Sequence, residues 1–144
     1  NSKMLVTKAL VKKVNDYNLG EFVHFHGRKK VGDELNQMYF DSDIYIIPSF
    51  HEGFPRTIWE AMGQSTPVIA TRVGGIPFLL DDKENALLIE AKSVNEIINA
   101  VESLICDESL RKKIIARGFE KAKSVTLECQ SNSLIALIKN EINQ

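Results

Sequence analysis

With 144 residues, 44% of them apolar and 26% charged, the chain has the composition of one soluble globular domain with a real buried core. Eighteen basic residues against nineteen acidic ones leave a net charge of −1, and no concentrated Lys/Arg tract is present, which argues against nucleic acid or an anionic membrane surface as the main partner. No apolar run is long enough to span a bilayer, Asn1 opens no signal peptide, and Cys106 and Cys129 stand at neither metal-ligand nor redox spacing. The chain therefore reads as a cytoplasmic protein with reduced, partly buried thiols, cut from something longer.

Two periodicities alternate along it. Ser2 is placed to cap a helix over 3–17, with Leu5, Ala9, Leu10, Val14 and Tyr17 near one face and Gly20 ending it. Phe22–His26 reads as a strand, 27–32 as a basic loop, and Asp33–Ser42 as a short helix. Ile44–Pro48 is a continuous apolar strand of the kind buried on both faces of a parallel sheet. The loop Ser49–Pro55 follows, then a helix over Arg56–Gln64 with Pro55 suited to its first turn. Pro67–Thr71 is a second buried strand, 72–77 a loop with a short turn or helix to Leu80, and Ala86–Ile89 a third strand. Three helices close the chain, over Val94–Cys106, Glu108–Lys123 and Thr126–Asn143, with Ser93, Asp107 and Thr126 as caps. The basic residues Arg111, Lys112, Lys113, Arg117, Lys121 and Lys123 read as a solvated helix face.

Strands alternating with helices through short connections predict an α/β domain with a parallel sheet. In such sheets ligands bind at the loops leaving the carboxyl ends of the strands. The loops 27–32, 49–55 and 72–77 all leave predicted strands at that end.

The segment from Pro48 to Gly63 carries the chemistry. A strand feeds a turn containing Gly53, and a helix starts at the turn, offering bare backbone amides near residues 56–58 and the positive end of its dipole. That is an anion site suited to a diphosphate. Gly53 allows close backbone approach or a positive φ. Glu52 and Glu60 flank the helix start, and a carboxylate can accept from two neighbouring hydroxyls of a sugar ring.

Several other residues have plainer readings. His24 and His26 share a strand face, but no third ligand is evident, and they are taken as structural. Asp41-Ser42-Asp43 spells a D-x-D sequence, yet it falls at a helix end before a buried strand, where Asp is a common turn residue. Trp59 is taken as packing, Gly74-Gly75 as turn geometry, and His51 as a loop histidine beside Glu52.

The spacing Glu52…Glu60 resembles the E-x7-E signature of the group 1 (family 4) retaining glycosyltransferases. The ordered surroundings resemble that family too: Phe25-His26-Gly27, Asp43 to Ser49, Glu52-Gly53-Phe54-Pro55, Glu60-Ala61-Met62, Pro67 to Thr71, and Val73-Gly74-Gly75-Ile76-Pro77. The likeness runs from about Leu19 to Leu110. It implies a Rossmann-like parallel sheet flanked by helices, one half of a GT-B fold truncated at its N-terminal side, with 1–144 as the nucleotide-sugar-binding C-terminal domain. It further implies sugar transfer from a nucleoside-diphosphate donor to a hydroxyl acceptor, with retention of anomeric configuration. Glu52 would be the catalytic residue, contacting the donor sugar, and Glu60 would hold the ribose hydroxyls. Gly53, Phe54, Pro55 and Arg56 would face sugar and phosphate, the amides of Thr57 and Ile58 the diphosphate, and Gly27, Arg28 and Val31 would border the base. No cofactor or metal is implied, because protein cations and the helix N-terminus stabilise the leaving diphosphate.

Departures from the family pattern bound the expectation. Nothing in residues 1–20 matches the family's opening strand and its Arg- and Lys-bearing loop, and the acceptor domain is absent. Gln64-Ser65-Thr66 stands where a small residue and Gly are usual, Phe78 where Glu is usual, and Ala86 where Gly is usual. The fragment is therefore expected to bind a donor rather than turn it over. A glycan, a lipid-linked intermediate or a small glycoside would be the acceptor. It would be bound by the missing domain, the part expected to bring any association with the inner face of the membrane. The alternatives are a nucleotide-sugar epimerase-like enzyme and a non-catalytic nucleotide-sugar-binding module. Leu127, Leu134, Leu137 and Ile138 on the last helix are expected to leave apolar surface that promotes self-association.

Overall fold

Three short parallel strands, β1 (Tyr45–Ile47), β2 (Val68–Thr71) and β3 (Leu87–Ile89), lie side by side in chain order. Tyr45 pairs with Val68, and Ile69 with Leu87. The helices are α1 (Ser2–Asp16), α2 (Asp33–Phe40), α3 (Arg56–Gly63), α4 (Val94–Cys106), α5 (Glu108–Ser124) and α6 (Leu127–Ile142), with a 3₁₀ turn at Ile76–Phe78. The computed structural model describes residues 2–142 apart from Phe54, with side chains described over 7–53 and 55–139. The chain divides into two units, residues 1–30 and 31–144.

In the second unit the sheet is covered on both faces, as its unbroken apolar runs require. Ile47, Val68, Ala70 and Leu88 pack with Ile58, Ala61 and Met62 of α3 and with Tyr39 of α2. On the other face Ile69, Leu87 and Ile89 meet Ala100 and Leu104 of α4 and Ile114 of α5. Every residue of β2 is buried, and each fully buried Ile or Val contributes roughly 1.5–3 kcal/mol relative to exposure. Gly118 lets α5 lie close to α3: a Cβ there would sit 3.2 Å from the Asn85 carbonyl oxygen and 3.4 Å from Met62 Cγ.

The caps expected at Ser93, Asp107 and Thr126 are present. Their side-chain oxygens accept from the amides of Glu96 (3.4 Å), Leu110 (2.9 Å) and Cys129 (3.3 Å). The basic stretch of α5 is more than a solvated face. Arg111 donates to the carbonyls of Leu104 (2.8 Å) and Ile105 (3.3 Å), satisfying the open end of α4, while Lys113 pairs with Glu84 and Lys112 with Glu108. Helix α3 ends with Ser65 at φ +62, and the Thr66 amide reaches back to the Ala61 carbonyl at 3.0 Å. A residue in the left-handed region after a helix is the usual place for glycine, so the Ser65 variant is a strained version of the same turn. On α6, Leu127, Leu134, Leu137 and Ile138 are all exposed, Leu127 by 81%.

The first unit differs from expectation. Residues Phe22–His26 form no strand: Phe22 ends a turn and 23–26 are non-repetitive. A strand exists only when its amides and carbonyls find a ladder partner, and the first unit contains no other strand among the described residues. Ser2 is the first described residue of α1, and its side chain lies outside the described residues, as does that of Leu5. Of the expected apolar face, Val14 is half-buried while Leu10 and Tyr17 are exposed. The helix ends at Asp16, and the left-handed residue that closes it is Asn18 rather than Gly20: Asn18 has φ +55, and the Leu19 amide donates to the Val14 carbonyl at 2.8 Å. Both cysteines are exposed, not partly buried. Among the described residues, no helix is long and apolar enough to cross a membrane.

Candidate functional site

The loop after β1 and the start of α3 form the core of the site. Glu52 is half-buried, and its Oε1 accepts from the Ser49 hydroxyl at 2.6 Å. Ser49 is itself held, because the buried Thr71 hydroxyl at the end of β2 donates to the Ser49 carbonyl at 2.7 Å. The carboxylate is thus tied through two hydroxyls to the sheet.

The loop after β2 docks on this one backbone to backbone. The Gly75 amide donates to the Gly53 carbonyl at 3.0 Å. Gly74 has φ +55, and a Cβ on it would run into the Glu52 carbonyl oxygen; a Cβ on Gly75 would come within 2.6 Å of the Gly53 oxygen. Gly74-Gly75 is therefore both a turn and a close approach, which spacing alone did not distinguish. Gly53 is not among the positive-φ glycines, and a Cβ on it would meet nothing within 4 Å, so its outer side is open. The loop after β3 contributes Lys92, whose Nζ lies 5.7 Å from the centre of the exposed Phe50 ring.

At the helix start, Pro55 is the N-cap, in extended geometry, one residue before the first turn in which it was expected. It brings no side-chain hydrogen bond to the first turn. The Ile58 amide donates to the Pro55 carbonyl at 3.1 Å, and the Ile58 side chain is in the core. Arg56 is exposed. Thr57 Oγ1 accepts from the Tyr45 hydroxyl at 2.8 Å, which frees the threonine proton to donate outward.

Glu60 is half-buried, one turn further along α3, and its Oε2 accepts from the Tyr39 hydroxyl at 3.3 Å. The two phenols meet edge to face, ring centres 5.4 Å apart. Burial pushes the Tyr39 phenol up to about 12, reinforced by Tyr45 and by the charge and hydrogen bond of Glu60. Burial also raises Tyr45, opposed by its bond to Thr57 and aided by both Glu52 and Glu60. Tyr45 at the helix tip is thus linked to Glu60 through the ring and hydroxyl of Tyr39, and it feels the charge of Glu52 as well. On its other side Glu60 borders a cavity of about 400 Å³ along the end of α5, lined also by Trp59, Phe119, Lys123 and Val125. Trp59 packs against the core as expected.

The structure thus brings together Glu52, Gly53, Pro55, Thr57 and Glu60. Phe54 lies outside the described residues. Val31 is 76% exposed just before α2. Gly27, at φ +67, and the exposed Arg28 belong to the first unit. The rings of His24 and His26 lie there tilted by 55°, their centres 6.4 Å apart. Asp41 closes α2 and accepts from Gln37, so the D-x-D sequence is a helix end. Among the described residues no group of three or more potential metal-ligating side chains is found. The residues that sequence reasoning passed over are Tyr39, Tyr45, Ser49 and Thr71. The sequence placed them on a helix, two strands and a loop, and gave no sign of the bonds they make.

The family model for group 1 glycosyl transferases matches residues 6–121. The chain belongs to that family. The chain is 34% identical over 131 residues to the uncharacterized glycosyltransferase MJ1178 of Methanocaldococcus jannaschii, covering 89% of this chain and 37% of that protein. The solved C-terminal domain of the group 1 glycosyl transferase LpcC from Francisella tularensis is 33% identical, with a TM-score of 0.74 over 83% of this chain and 62% of that one. Anabaena Alr3699/HepE, crystallised in complex with UDP, has the same fold at a TM-score of 0.85 with 23% identity, over 97% of this chain and 38% of that one. The GT-B glycosyltransferase fold is thereby established, and the chain spans about a third of the length of the curated relative from Methanocaldococcus.

Proposed function

We propose that this chain holds the nucleoside-diphosphate sugar in a transfer that retains anomeric configuration, the acceptor hydroxyl being bound elsewhere in the whole protein. The observation that carries the reading is the convergence of Glu52, Glu60 and the first turn of α3 around the Tyr45–Thr57 hydrogen bond. The Thr57 amide, the Thr57 hydroxyl and the helix dipole would meet the diphosphate, with Arg56 as the nearby cation. The charge of the leaving diphosphate would then be met by protein groups rather than by a resident metal. The open side of Gly53 admits the donor backbone to backbone, and Glu52 would lie against the sugar, where a fixed carboxylate stabilises positive charge developing at the anomeric carbon. Glu60 would accept from the ribose hydroxyls.

The test is calorimetry of the chain against UDP, GDP and ADP, with UDP first because it is the nucleotide bound to the Anabaena neighbour. Glu60→Ala is expected to weaken the preferred nucleotide by roughly 10- to 100-fold, the worth of hydrogen bonds to a charged group. An unchanged affinity for all three, or no binding by the wild type, would remove the reading.

A further inference from the structure

We propose that Tyr39 is a positioning residue for ribose recognition: its hydroxyl fixes the Glu60 carboxylate in the orientation that accepts from both ribose hydroxyls. The inference rests on the donor-binding reading above and deepens it by assigning discrimination between ribose and deoxyribose to a residue outside the E-x7-E segment.

Tyr39 is anchored at three points. Its ring is 8% exposed and packed in the core. Its carbonyl accepts from the buried Thr66 hydroxyl at 2.6 Å, which ties the end of α2 to the turn after α3. Its ring edge rests on Tyr45, which is itself held by Thr57. The free end of this rigid assembly is the hydroxyl, aimed at Glu60 Oε2 from 21 residues away in the chain. The phenol stays protonated through the neutral range, so its hydroxyl has a proton to donate to Glu60.

A glutamate on a half-exposed helix face otherwise samples several rotamers, and ordering such a side chain on binding costs affinity. One Oε lone pair taken by Tyr39 leaves the other acceptor sites for two vicinal hydroxyls, held at the spacing a ribose presents. A nucleotide lacking the 2′-hydroxyl can use only part of that arrangement. Tyr45 serves the other end of the site, bonding Thr57 at the diphosphate position, so the two phenols of one aromatic pair divide the donor between them.

The experiment compares the tightest of UDP, GDP and ADP with its 2′-deoxy counterpart, by calorimetry, on wild type, Tyr39→Phe, Tyr45→Phe, Glu60→Ala and the Tyr39→Phe/Glu60→Ala double variant. Tyr39→Phe is expected to weaken the ribonucleotide about five-fold and the deoxynucleotide about two-fold or less, compressing the ratio between them. Tyr45→Phe, which disturbs the same ring pair, should weaken both equally and keep the ratio. In the Glu60→Ala background, Tyr39→Phe should have no further effect on either ligand. Equal weakening of both nucleotides by Tyr39→Phe, or no weakening where Glu60→Ala does weaken binding, overturns the inference and leaves donor binding standing. A Glu60→Ala variant that binds all three nucleotides as the wild type does overturns both.

Discussion

A methyl group placed on Gly74 is expected to part the two loops that build the site. Gly74→Ala puts alanine at φ +55, which costs about 1–2 kcal/mol for a residue with a Cβ. The new Cβ also runs into the Glu52 carbonyl oxygen, a backbone atom that can yield only if the 72–77 loop lifts away. Lifting it breaks the 3.0 Å bond from the Gly75 amide to the Gly53 carbonyl, worth about 1 kcal/mol. The sum is about 2–3 kcal/mol, which for a chain of this size lowers Tm by about 6–10 °C. Gly53→Ala is the control: no positive φ and nothing within 4 Å predict a stability change within about 1 kcal/mol. Its open side, however, is where the donor would approach, so nucleotide affinity should fall. Urea and thermal unfolding followed by circular dichroism, with calorimetry of the preferred nucleoside diphosphate, read both quantities. If Gly74→Ala melts within about 2 °C of wild type, or Gly53→Ala proves the more destabilising of the two, the loop–loop docking argument is wrong.

Two further outcomes follow from the structure. Ser65→Gly should stabilise the chain by about 0.5–1 kcal/mol, since relief of the left-handed backbone outweighs the entropy of glycine in the unfolded state; a lower urea midpoint would show that Ser65 makes a compensating contact. The Tyr39 phenol, at about 12 when folded against 10.0 ordinarily, favours the fold in its protonated form. Its contribution is complete below about pH 10 and is lost as pH rises through about 12, so Tm should fall more steeply with alkali in wild type than in Tyr39→Phe; parallel slopes would count against the burial of that hydroxyl.

Wherever a property depends on neighbours a few residues apart, the amino-acid order was enough. The apolar runs at 44–47, 67–71 and 86–89 became β1, β2 and β3 because an unbroken apolar stretch of that length has no stable home except between two covering layers. Ser93 and Asp107 cap as expected because a cap is made with amides three residues on. Glu52 and Glu60 were visible for the same reason, since they bracket one turn and one helix. The tertiary structure alone decided what holds those carboxylates. Tyr39 reaches Glu60 across 21 residues, and Thr71 reaches Ser49 across 22. No periodicity encodes such a pairing, because it depends on how α2 and β2 are packed rather than on what they are made of. The same physics explains Phe22–His26, whose composition suits a strand but which finds no ladder partner within its own unit. It also explains Gly74, where only the packed loops reveal that a backbone oxygen already fills the space a side chain would need.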